Sequence, residues 1–379
     1  MTEYPNLLSR LLLRRGFASQ FAFPITDSRK LTRRLEILER LLPRPRPRHL
    51  EPLTAPIVVA GLPRTGSTWL QTLLCAHPDV AYITHLTHHF PTCFRAANLV
   101  TGLLGIDAKG ERFIGDSVVH SLKSPSEGTL FWGEWLGWDP ACLTYDPVRL
   151  ADLGPGTIRD VHDTLSRVVA LFGPGKRFFT KNPAFIPYVP ALSGLFPDAR
   201  IIHLVRDPRP TANSMIKLLR ACRTQLATVK ASGRPLSMRL DDFVPYPRLP
   251  RLAEYVGRFG ADDVRATARL WRDAALFMED LAPSLPNLLT VRFESVLADP
   301  AGSVARILEF CRLSPLPADN PAMAALYART GKVAHVNDYG DYALVADICR
   351  EAMARLGYDP DRPAGNVGAA GAAAFRRLL

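Results

Sequence analysis

Residues 57–74 set an apolar run, a glycine-bounded loop and a helical pattern in immediate succession, and that order restricts the chain to an α/β fold. Ile57-Val58-Val59-Ala60 is short and fully apolar, as a strand buried on both faces must be. Gly61-Leu62-Pro63-Arg64-Thr65-Gly66 then breaks the strand, and Leu70, Leu73 and Leu74 recur at helical spacing behind it. Further apolar runs read as strands at 178–180, 201–205 and 288–293, and helical patterns at 157–172, 185–195, 209–221 and 263–281 lie between or beside them. Strands alternating with helices predict three layers, a central parallel sheet flanked by helices.

The flanking segments differ in character. Residues 1–42 carry helical patterns around Leu7, Leu8, Leu11 and Leu12 and again through Leu35-Glu36-Ile37-Leu38. The Pro43-Arg44-Pro45-Arg46-Pro47-Arg48 run excludes helix and sheet alike and reads as an extended linker closing an N-terminal segment at residue 50. The Ala- and Gly-rich end, 361–379, is expected to be disordered. No apolar run approaches a membrane span, and Arg10, Arg14 and Arg15 interrupt the first one, so the expected location is the cytoplasm. Six cysteines at 75, 93, 142, 222, 311 and 349 contain no C-x-x-C pair, which points to free thiols rather than disulfides or zinc. The formal charge is +11, and only eight of the 47 basic residues are lysine, a balance that favours an anionic partner. A basic amphipathic N-terminus leaves packing on the core, a homodimer contact and peripheral membrane contact all open. Nucleic acid is set aside, because basic residues are not interleaved with aromatics and no reader motif is present.

Two stretches carry chemistry. Gly61-x-x-x-x-Gly66-Ser67-Thr68 has the outline of a P-loop, whose N–H groups cradle phosphate at a helix N-terminus. Where an NTPase needs lysine the chain has Ser67, and the positive charge sits inside the loop at Arg64. A P-loop nucleotide or small-molecule kinase is therefore the alternative rather than the first reading. Downstream, the run Ile201–Val205 delivers Arg206 at a strand's carboxyl end, where open α/β sheets bind ligands, and Ser214 follows eight residues later. Together they can hold a second phosphate, the arginine by charge-assisted bonds and the serine by its hydroxyl. The bland alternative is an Arg206–Asp207 ion pair and an incidental helical serine.

These segments resemble the sulfotransferases that use 3′-phosphoadenosine-5′-phosphosulfate (PAPS). Pro63-Arg64-Thr65-Gly66-Ser67-Thr68-Trp69 resembles their 5′-phosphosulfate loop, and Val205-Arg206-Asp207-Pro208 through Ser214 their 3′-phosphate segment. Thr180-Lys181-Asn182-Pro183 is similar to the tyrosylprotein branch and its bacterial relatives, and Val291-Arg292-Phe293-Glu294, a later Gly-Lys-Val and Leu356-Gly357-Tyr358 also recur in the superfamily. The likeness implies a P-loop-like sulfotransferase domain over 51–360. It puts Arg64 and Lys181 on the transferring sulfuryl group, Thr65, Gly66, Ser67 and Thr68 on the 5′-phosphate, and Trp69 near adenine. Arg206 and Ser214 would hold the 3′-phosphate, and Lys332 would approach the cofactor. Adenosine 3′,5′-bisphosphate (PAP) would be the product, with no metal required.

The general base departs from the related branch, which has a glutamate about 21 residues after the loop arginine where this chain has His85. An imidazole titrating near neutrality suits deprotonation of an alcohol, so His85 ranks first and Glu127, in Ser124-Pro125-Ser126-Glu127-Gly128, second. The histidines at 85, 88 and 89 lack a carboxylate or cysteine at ligand spacing, so zinc is set aside. Phe90, Phe94, Phe131, Trp132, Trp135, Trp138 and Tyr145 lie where the family shapes its acceptor pocket. They point to an apolar acceptor, a small molecule or lipid, with core packing as the competing explanation.

Overall fold

The computed structural model describes residues 3–13, 29–43, 51–112, 118–137, 143–231, 243–317, 319–321, 323–324 and 341–361. Lys332, Trp138, Cys142, most of the Pro/Arg linker and nearly all of the C-terminal tail lie outside them.

The described residues form the strands β1 (Ile57–Ala60), β2 (Val80–Tyr82), β3 (Lys109–Glu111), β4 (Val119–Ser121), β5 (Arg177–Lys181), β6 (Arg200–Val205) and β7 (Leu288–Arg292). Five make one sheet, in the order β2-β5-β1-β6-β7, with every pair parallel. The three-layer arrangement read from the sequence is thus the fold. β3 and β4 form a separate antiparallel hairpin. From β1 the chain runs to one edge at β2, returns through β5, then crosses to β6 and β7 on the other side. β1 therefore sits at the switch point, where the loops at strand carboxyl ends part and leave a crevice.

The helices follow the same logic. They are α1 (Leu7–Leu13), α2 (Arg29–Leu41), α3 (Ser67–Cys75), α4 (His85–His89), α5 (Phe94–Leu103), α6 (Thr129–Leu136) and α7 (Pro155–Ala170). Next come α8 (Val189–Leu195), α9 (Pro208–Ala231), α10 (Leu252–Phe259), α11 (Val264–Leu281), α12 (Phe293–Ala298), α13 (Pro300–Phe310) and, after a gap in the described residues, α14 (Tyr342–Arg355). Alternate side chains of a strand point to opposite faces. Ile57 and Val59 accordingly pack with Leu70 and Leu73 of α3 and Ile307 of α13, whereas Val58 and Ala60 pack with α7, α8, α9 and α11. A third, smaller core gathers Leu35 of α2, Leu86 of α4, Ala96 and Ala97 of α5 and Leu122 after β4.

Several aromatics expected around an acceptor belong to the main core instead. Phe94, Phe131, Trp132 and Trp135 are buried and stack on one another, while Phe90 and Tyr145 stay half-buried. Apolar area dominates their energetics, so α6 is a packing element first. Trp132 also has a polar task, its Nε1 donating to Thr180 Oγ1 at 3.0 Å and so fixing the end of β5.

Candidate active site

The described residues singled out from the sequence gather at the carboxyl ends of the sheet. The loop leaving β1 is held by steric exclusion. A Cβ at Gly61 would stand 2.5 Å from the carbonyl oxygen of Leu204, and one at Gly66 would stand 2.4 Å from the ring of Phe293. Gly66 also has φ +93° and caps α3, a conformation that L side chains rarely adopt. Thr65 Oγ1 donates to Leu62 O at 2.8 Å, closing the turn. Trp69 N and Leu70 N donate to Gly66 O, so at the start of α3 the N–H groups of Ser67 and Thr68 are the ones that suit an anion. Arg64 has φ +73°, an uncommon state for a residue with a Cβ and a form of backbone strain that concentrates at ligand sites.

Arg64 and the second motif meet directly. Its Nε donates to Ser214 Oγ on α9 at 2.9 Å, and Arg206 Nη1 donates to the carbonyl oxygen of Arg64 at 3.3 Å. The loop arginine expected at the sulfuryl group thus also reaches the serine expected at the 3′-phosphate. The Arg206 guanidinium lies 5.4 Å over the Phe293 ring, while the Asp207 carboxylate takes Arg209 at 2.6 Å. Burial pulls Arg206 below the usual arginine value, with Glu294 and Asp207 opposing the shift.

The β7 motif, which the resemblance leaves without a role, supports the loop. Phe293, just past β7, fills the space opposite Gly66, lies beneath Arg206 and meets Trp69 edge-on at 6.5 Å. Trp69 lies beside this stack, and its Nε1 is buried with no hydrogen-bond partner among the described residues. Glu294 accepts from Asp207 N at 2.9 Å and from the Tyr358 hydroxyl at 2.8 Å, and Arg292 donates to Gly357 O at 2.7 Å. These contacts tie the β7 and Leu-Gly-Tyr segments to the strand end carrying Arg206. Arg112 was missed altogether: its Nη1 donates to Thr68 Oγ1 at 3.2 Å, adding a guanidinium beside the first turn of α3. No local pattern marks it, because the contact depends on the β3–β4 hairpin folding over the loop.

On the other side of β1, Lys181 ends β5 in register with Val59. Its side chain is 4% exposed and its Nζ pairs with Glu127 Oε1 at 2.5 Å, while the Glu127 side chain is 41% exposed. Asn182 Nδ2 donates to Glu127 O at 3.2 Å, so the segment before α6 is fastened to the end of β5. Glu127 directly precedes Gly128, which caps α6. His85 opens α4 after β2, with its N–H on Ser124 O at 3.0 Å, and its Nε2 shares a hydrogen bond with His120 Nδ1 at 2.7 Å. Burial, then repulsion from His120, His89 and His88, holds His85 well below the ordinary histidine range. His88 bonds Ser126 Oγ at 2.8 Å and burial pushes it down to about 3. Among the described residues no group of three or more His, Cys, Asp or Glu side chains is placed to hold a metal ion.

The sulfotransferase-domain family model matches residues 54–319, which include every element of this site except the Tyr358 brace. The chain belongs to the sulfotransferase family. Among characterised sulfotransferases it is 25% identical over 335 residues to the omega-hydroxy-beta-dihydromenaquinone-9 sulfotransferase Stf3 of Mycobacterium bovis, covering 81% of this chain and 76% of Stf3. Solved relatives include sulfotransferase STF9 from Mycobacterium avium, 17% identical with TM-score 0.47 over 82% of this chain and 78% of STF9. Mouse sulfotransferase SULT7A1, crystallised with PAP, is 15% identical with TM-score 0.34 over 94% of this chain and 90% of its own. The tyrosylprotein branch remains a likeness of motifs, since the family match does not distinguish branches.

Proposed function

We propose that this sulfotransferase moves a sulfuryl group from PAPS to the hydroxyl of an apolar small molecule or lipid. The observation that carries the reading is the junction of its two phosphate motifs, Arg64 to Ser214 and Arg206 to Arg64, across 150 and 142 residues of sequence. A nucleotide with phosphates on both its 5′ and 3′ positions is what such a pair of grips suits. The Gly66 cradle, the Ser67 and Thr68 N–H groups at the start of α3 and the cations Arg64, Arg112 and Arg206 fit an anionic donor of this kind. A kinase would need lysine at position 67, where Ser67 is buried.

When bound, PAPS supplies an activated sulfuryl group and a bisphosphate leaving group. The work of the chain is then positioning and charge stabilisation, as in phosphoryl transfer. Lys181 and Arg64 neutralise charge growing on the departing oxygen, and Arg206 with Ser214 anchors the remote phosphate. The acceptor oxygen forms its bond to sulfur as the bond to the phosphate oxygen breaks, and its proton passes to a base. Glu127 takes that role here, displacing the first choice made from sequence. Its carboxylate stands against the lysine assigned to the reacting group, whereas His85 Nε2 is taken up by a hydrogen bond with His120 Nδ1. Stf3 is named for a hydroxylated menaquinone derivative, and that name supports a lipid-like acceptor for this chain.

The test is turnover with PAPS carrying a labelled sulfuryl group, offered long-chain alcohols, hydroxylated quinones, phenols and anionic glycans. Labelled product and equimolar PAP with an apolar acceptor are expected. Transfer confined to glycans would overturn the acceptor class, and magnesium-dependent ATP turnover without PAPS turnover would favour the kinase.

A further inference from the structure

Helix α1 is inside out. Ser9 is its buried residue, at 0% exposure, while Leu7 and Leu11 are 70% and 68% exposed and Leu8 and Leu12 share their outward side. The inward serine has a reason, since its Oγ accepts from Asp107 N at 3.2 Å. Asn6 Nδ2 donates to Leu104 O and Gly105 O just past α5, placing the leucines beside exposed Leu103 and Leu104. In water such leucines contribute nothing to folding, and a contiguous apolar face of this kind marks an interaction surface.

The charges around this face identify what it meets. Arg10 is exposed on α1, and Lys30, Arg33, Arg34 and Arg40 are exposed along α2, which packs on α5 through the same small core. The acids of α2 are turned inward: Glu36 accepts from Thr92 Oγ1 at 2.9 Å, and Glu39 accepts from Ala96 N at 2.8 Å. Among the described residues, and apart from Glu3, the outward side is therefore leucine bordered by arginine and lysine. A second copy docked through the same face would set these cations against each other. An anionic lipid surface instead takes leucine into its acyl boundary and pairs the cations with head groups.

We propose that the outward faces of α1, α2 and the end of α5 dock the protein on an anionic bilayer. The inference stands on this surface and does not depend on which hydroxyl accepts the sulfuryl group. Leu86, next to His85, belongs to the small core that α2 and α5 pack around.

The experiment is co-sedimentation of the full chain with phosphatidylcholine vesicles, with and without about a third phosphatidylglycerol. Binding is expected only to the anionic vesicles and is expected to weaken in high salt. Leu7→Ser/Leu11→Ser/Leu12→Ser should weaken it by about tenfold or more. Arg33→Gln/Arg34→Gln should weaken it by about fivefold per charge. Both variants should keep the wild-type melting temperature and its shift with PAP, which separates lost docking from lost folding and from failure of the PAPS assignment. Wild type that stays in solution with anionic vesicles, equal binding to neutral ones, or a dimer dispersed by the leucine variant would overturn the proposal.

Discussion

Arg64 and Arg206 differ in what each can contribute, although a hydrogen bond joins them. Arg206 sits over Phe293 at the end proposed to hold the 3′-phosphate, and there it should bind ground and transition states alike. Arg64 lies in the loop expected to face the charge that grows during transfer. Arg206→Ala and Ser214→Ala should therefore raise KM for PAPS by about tenfold or more with kcat little changed, whereas Lys181→Ala and Arg64→Ala should mainly lower kcat. Because Arg64 also donates to Ser214, its variant should raise KM as well, which Lys181→Ala should not. Steady-state kinetics with varied PAPS checks the split. For the base, Glu127→Gln should cost about 10²–10⁴-fold in kcat at saturating PAPS while PAP still binds. A near-normal Glu127→Gln beside an inactive but folded His85→Asn would return the role to His85.

At the scale of elements, the phosphate loop depends on β7 as much as on its own sequence. Phe293 allows nothing larger than glycine at position 66, so Gly66→Ala meets both a ring and an unfavourable φ. That variant should lose about 1–3 kcal/mol of stability and most PAP affinity, measured by urea unfolding and calorimetry. The same dependence explains what could be read from the sequence. β1, β6, β7 and the long helices α7, α9 and α11 were legible because buried parallel strands and amphipathic helices have strong periods. β2, a three-residue strand, and the β3–β4 hairpin, with its Lys109-Gly110-Glu111 strand, have almost none. Arg206 and Ser214 are picked out by motif spacing, Lys181 and Glu127 by the family resemblance. Arg112, the support from Phe293 and the Glu294–Tyr358 brace depend on side chains meeting from distant segments, which no local pattern encodes. The aromatics of α6 misled for a related reason: composition does not say which side of an element faces the core.

Across the whole molecule, buried histidines couple stability to pH. Burial pushes His203 on β6 and His89 on α4 down to about 4, and His88 to about 3. With folded values below the unfolded value of about 6.5, the unfolded chain takes up protons first as pH falls. Stability is then full above about 6.5 and declines toward about 4, by about 1.4 kcal/mol per pH unit for each such imidazole. Urea midpoints should fall from pH 7 to pH 5, and His203→Leu should flatten the slope by one proton equivalent; an unchanged slope would contradict this linkage. The proposed function requires the carboxyl edge of the sheet to bind a nucleotide phosphorylated at both its 3′ and 5′ positions. Thermal unfolding with PAP, AMP and ATP tests it most directly. At about a hundred times its dissociation constant PAP should add about 2.7 kcal/mol, a shift of several degrees, with far smaller shifts from AMP and ATP. Arg206→Ala should abolish the preference. Equal shifts from PAP and AMP in the wild-type protein would contradict the account.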